Sequence, residues 1–115
     1  MARSFLLLTL AMMLAGCRHH PGPPMPLESL NAQQMHGYAV FQAQCKSCHY
    51  DRRNGGLNGP SLLGIFKEKD LPSGAAATDE RVTATIVQGK RMMPAMADKM
   101  TEQELNDLMA YLHTL

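Results

Sequence analysis

The stretch QCKSCHY, Gln44 to Tyr50, places Cys45, Cys48 and His49 within five residues. No other feature constrains the fold as much, because each chemistry that uses such a trio needs a different chain around it. A redox dithiol needs its CxxC inside a βαβ pattern. A zinc site needs four ligands, usually from two paired motifs. A disulfide between Cys45 and Cys48 would close a very small loop and stabilise little. The remaining use of C-x-x-C-H is covalent attachment of a c-type haem.

The rest of the chain favours the last of these. No stretch alternates as a strand does, so a βαβ unit has no support. There is no second CxxC, and the other histidines are His19, His20, His36 and His113. Haem attachment accounts for all three residues. Cysteines at i and i+3 lie one helical turn apart, within reach of two vinyl groups. His49, four residues past Cys45, lies on the same side and ligates iron. An exported chain tends to oxidise free thiols, and attachment leaves none free.

Export is itself expected. Residues 1–16, MARSFLLLTLAMMLAG, carry one basic residue and then an apolar run. The run is short for a bilayer span and fits the h-region of a secretory signal. LAGC, Leu14 to Cys17, resembles the lipobox of bacterial lipoproteins. That resemblance implies cleavage before Cys17, lipidation of Cys17 and a lipid anchor on the periplasmic side of a membrane. The basic Arg18 points by resemblance to the outer membrane. Residues 17–30 contain four prolines and read as a semi-rigid linker. Extended, it would hold a domain about 40 Å off a surface. His19 and His20 read as a solvated pair.

The folded domain is then residues 31–115. It has nine basic and nine acidic residues, so charge makes no case for nucleic acid. A domain this small needs a staple or a cofactor to complete its core. Six aromatics and no tryptophan serve the whole chain, which leaves room for a large apolar group.

An all-α fold with three main helices follows from caps and spacing. Asn31 caps a first helix with Gly37, Phe41 and Cys45 on one face. Thr78 caps a second, with Asp79 and Glu80 in its first turn and Gly89 as its stop. Thr101 and Glu104 form a capping box for the third, followed by Leu105, Leu108, Met109 and Leu112. PSLLGIF, from Pro60, predicts a short fourth helix. The stretches 50–59 and 67–77 read as loops.

A haem iron with one histidine needs a sixth ligand. The loop GKRMMPAM, Gly89 to Met96, offers Met92, Met93 and Met96, with Met100 beyond. A thioether favours ferrous iron and raises the reduction potential. Met93 directly precedes Pro94, which fixes the backbone there.

Together these fragments resemble a class I c-type cytochrome over nearly all of residues 31–115. In that family a glycine and an aromatic precede the first haem cysteine by eight and four residues, as Gly37 and Phe41 do. They pack on a last helix with the pattern DLxAYL, here DLMAYL with Leu108 and Tyr111. GPSLLGIF matches the segment after the haem histidine. The resemblance implies that the Pro60 carbonyl accepts the second ring N–H of His49. It also implies that Met93, four residues after Gly89 and directly before a proline, is the axial methionine.

With both axial positions filled by protein, catalysis at iron is disfavoured and one-electron transfer remains. The expectation is a membrane-tethered electron carrier with one haem c, a monomer or a subunit of a respiratory complex, and not an enzyme. Its partners would be an oxidase, reductase, peroxidase or dehydrogenase. Lys46, Arg52, Arg53, Lys90 and Arg91 lie near the haem motifs in sequence, placed either to steer an acidic partner, or to stand in solvent or meet the haem propionates. A haem sensor or peroxidase-like protein with a displaceable sixth ligand is the alternative.

Overall fold

A computed structural model describes residues 21–115. The expected leader, Cys17 and the His19–His20 pair lie outside the described residues. Among the described residues, three α-helices follow a 3-10 turn at Leu27–Ser29: α1 (Ala32–Gln44), α2 (Asp79–Gln88) and α3 (Glu102–Leu112). No strand occurs among the described residues, which hold only two isolated bridges, Asp70 with Ala76 and Lys90 with Met93.

Each helix starts where its side chains supply the missing acceptors. Asn31 accepts from the Gln34 N–H at 2.8 Å, and Gln34 returns the bond to the Asn31 N–H at 2.9 Å. Thr78 accepts from the Arg81 N–H. Thr101 and Glu104 form the reciprocal pair at α3, at 3.1 and 2.7 Å. The Thr101 N–H beside the exposed Glu104 holds its carboxyl below the usual range. α2 stops at Gly89, whose φ of 74° is left-handed.

α1 and α3 cross at Gly37. A methyl group built there would overlap the Asp107 carbonyl and lie 2.8 Å from Tyr111 Cβ, so only glycine allows the approach. Around the crossing, Tyr38 meets Tyr111 edge to face at 5.3 Å, and Phe41 lies 6.0 Å from the same ring. Phe41, Leu108, Tyr111, Leu112 and Leu115 are fully buried. α2 adds Val82 and Ile86 to the core.

Two expectations need correction. The segment from Pro60 forms no helix: residues 63–67 are turns. Ser61 Oγ takes the Leu63 N–H at 3.1 Å, and Gly64 has a φ of 71°, so a right-handed helix cannot run through. The proline-rich segment is also not a free spacer from Pro21 onward. The Met25 N–H donates to the Thr114 carbonyl at 2.7 Å, and Lys67 Nζ donates to the Pro23 carbonyl at 3.3 Å.

Candidate haem-attachment site

α1 ends at Cys45, and the chain turns tightly through Cys48. Both the Cys48 and His49 N–H groups donate to the Cys45 carbonyl at 3.0 Å. The two sulfurs and the imidazole therefore leave one compact turn at the base of α1. Both thiols are free and half-buried. Burial first, and the neighbouring Cys48 second, push the Cys45 thiol up to about 11. A thiol raised in this way is unlike the low-pKa thiolate of a redox motif. Among the described residues, no three His, Cys, Asp or Glu side chains converge as a metal-binding group.

His49 is oriented from behind. Its Nδ1 lies 2.8 Å from the Pro60 carbonyl. A carbonyl only accepts, so Nδ1 carries the proton and the Nε2 lone pair is free for a metal. Gly59 is required beside it, because a methyl group there would overlap the ring. Gly59 opens the GPSLLGIF segment, whose spacing alone does not show the contact with the His49 ring. The Gly59 N–H donates to the Cys48 carbonyl at 2.8 Å and closes the turn.

The segment is also tied to α3. Asp51 Oδ2 accepts from the Tyr111 hydroxyl at 2.6 Å. Burial, and then the bond to Asp51, raise the Tyr111 phenol well above its usual value. Nothing local in the sequence signals this pair, which is 60 residues apart.

The methionine loop is a two-residue hairpin. Lys90 and Met93 exchange both backbone hydrogen bonds at 3.0 Å, with Arg91 at φ 54° between them. A methyl group on Gly89 would lie 2.6 Å from the Met93 carbonyl and 2.7 Å from the Ala95 N–H nitrogen. That crowding is why the glycine stands four residues before the methionine. The methionines separate clearly. Met92 is 83% exposed, Met96 is 6% exposed within the core, and Met93 is half-buried against that core. The Met96 N–H donates to the Ile86 carbonyl at 3.0 Å and anchors the loop to α2.

Of the five basic residues, Lys46, Arg53, Lys90 and Arg91 are exposed. Arg53 lies 3.7 Å above the Tyr50 ring. Arg52 instead donates to the Met25 carbonyl in the proline-rich segment.

The family model for cytochrome c oxidase, cbb3-type, subunit III matches residues 32–112. The chain belongs to the class I c-type cytochromes. This cytochrome is 30% identical over 84 residues to a cytochrome c6 of Synechocystis sp., covering 73% of this chain and 67% of the relative. It is 30% identical over 81 residues to a cytochrome c6 of Anabaena variabilis, covering 70% and 90%. A solved structure of cytochrome c6 from the diatom Phaeodactylum tricornutum shares the fold, with a TM-score of 0.55 at 22% identity over 69% of this chain and 88% of the other. The cytochrome is an electron-transfer protein and not an enzyme, and it carries one haem c bound through Cys45 and Cys48. The expected lipid-anchored localisation is corrected by the same comparisons: the relatives are cytochromes c6, soluble periplasmic or lumenal carriers without a lipid anchor. Among the described residues, no helix is long and apolar enough to cross a membrane.

Proposed function

We propose that this electron carrier holds its haem iron between His49 and Met93 and exchanges electrons with acidic protein partners. The observation that carries the reading is the bond between His49 Nδ1 and the Pro60 carbonyl, which leaves Nε2 free in the same turn as Cys45 and Cys48. Bound haem c supplies a one-electron iron couple. The chain's residues set the conditions under which it works. The Pro60 carbonyl fixes the His49 tautomer and raises its basicity. The Met93 thioether favours ferrous iron and raises the potential. The placement of the neighbouring methionines supports Met93: Met92 points to solvent and Met96 fills the core.

The ligand assignment is tested by the red-region absorption band of iron–methionine ligation in the oxidised protein. The band is expected in wild type, Met92→Ala and Met96→Ala, and absent in Met93→Ala. Its survival in Met93→Ala would reject the assignment. Partner docking rests on the exposed Lys46, Arg53, Lys90 and Arg91. Electron-transfer rates with an acidic partner should fall with salt, because exposed charges are screened beyond about 10 Å at 0.1 M. Charge reversal at Lys90 and Arg91 should remove that dependence. Rates indifferent to salt would reject docking through these cations.

A further inference from the structure

The strap Pro21–Leu30 takes no part in the site so far described. Met25 sits at its centre. The Met25 N–H donates to the Thr114 carbonyl at 2.7 Å, just past α3. The Met25 carbonyl accepts from Arg52 Nη2 at 2.6 Å. The backbone N–H of Arg52 donates to Asp51 Oδ1 at 2.9 Å. The other Asp51 oxygen accepts the Tyr111 hydroxyl. The Tyr111 carbonyl accepts the Thr114 N–H at 2.8 Å. These bonds form a closed ring through the strap, the segment after His49 and α3.

Two more contacts seat the strap. Lys67 reaches the Pro23 carbonyl. Gly64 is buried so close to Pro21 that a methyl group there would overlap the proline ring. Arg52 is half-buried, and its Nη1 is buried with no hydrogen-bond partner among the described residues. A partly buried guanidinium with few acceptors depends on each one it has.

We propose that Pro21–Leu30 is a latch on the haem segment. Docked on Arg52, it holds the chain after His49 against α3. Undocked, it admits water to that side and lowers the reduction potential, because water stabilises the more highly charged ferric state. The effect on potential rests on His49 being the axial ligand; the docking does not.

The experiment uses the haem-loaded chain with Met25→Pro, Arg52→Gln and the pair combined. Met25→Pro removes one N–H donor and no charge. The first readout is native-state proteolysis after Leu27 or Glu28. Each single change should speed cleavage roughly tenfold, the worth of about one hydrogen bond to a charged or backbone group. The double variant should cut no faster, since both changes open one latch. The second readout is the potential, which should fall in both single variants. Unchanged cleavage in Met25→Pro overturns the latch. So does a potential that shifts in Arg52→Gln alone, which would be a charge effect without a strap. Should Arg52→Gln fail to fold, Met25→Pro carries both readouts. Failure of the His49 assignment appears separately, as an altered haem spectrum in wild type.

Discussion

The segment around His49 is tied to residues far away in sequence, whereas the loop around Met93 is tied mainly to itself. His49 is backed by Pro60, Asp51 by Tyr111, and Arg52 by the strap. Gly37 brings α1 against α3 behind them. Moving His49 therefore means disturbing the helix crossing. The Met93 loop has a two-residue hairpin, one left-handed arginine and one bond to the end of α2. Its opening costs the hairpin bonds and the packing of Met93 and Met96, without parting α1 from α3, so it lies nearer the low-stability end of the molecule. The two segments thus open by different routes, one global and one local.

The largest test of this contrast is Gly37→Val. Its side chain would drive into the Asp107 carbonyl, and overpacking of that kind costs about 1–3 kcal/mol or more. Thermal unfolding should show the whole domain destabilised, with haem signals and helicity lost together. Gly89→Ala should cost about 1–2 kcal/mol for the left-handed backbone. Its damage should be local: the iron–methionine band is lost at a lower temperature than helicity. Coincident loss would break the contrast. Tyr111→Phe removes the hydroxyl bond to Asp51 and should cost about 1–2 kcal/mol, read as a cooperative shift in denaturant midpoint. Arg91→Gly should stabilise by up to about 1 kcal/mol, since glycine accepts the positive φ at no steric cost. The gain should raise the temperature at which the methionine band disappears.

The smallest effect is on the global side and concerns pH. The His36 ring, bonded to Asp107 Oδ2, holds that carboxyl below its usual value, against burial. A carboxyl lowered in the folded state contributes stability above its ordinary value, near 4, and loses it as pH falls through the lowered one. Asp107→Asn should flatten the acid limb of the stability profile. An unchanged acid limb would remove His36–Asp107 from the clamp between α1 and α3.

What the sequence made legible was local. Caps at Asn31, Thr78 and Thr101 announce helices because side chain and backbone lie three residues apart. The CxxCH turn and the Gly89–Met93–Pro94 spacing are likewise short-range, so their chemistry could be read before their geometry. The bonds of Tyr111 to Asp51 and Met25 to Arg52 had no such signature, because nothing near either partner hints at the other. Pro60–Phe66 misled for a related reason: its apolar spacing fits a helix, but the Ser61 side chain and the left-handed Gly64 redirect the backbone. The proline-rich segment looked like a spacer by composition, while its docking depends on contacts with Gly64, Arg52 and Thr114, all distant in sequence.

The helix crossing at Gly37 also bears on how the molecule is made. His36 and Asp107 meet across 71 residues. Closing a loop of that length costs roughly 4 kcal/mol of chain entropy, with no compensating contact until both helices are in place. A transition state that includes this crossing would be slow to reach for so small a helical protein. Covalent attachment at Cys45 and Cys48 fixes a large apolar plate to the end of α1 beforehand. Residues of the later helices can then collapse onto it one segment at a time, so the cofactor shortens the search that the topology imposes.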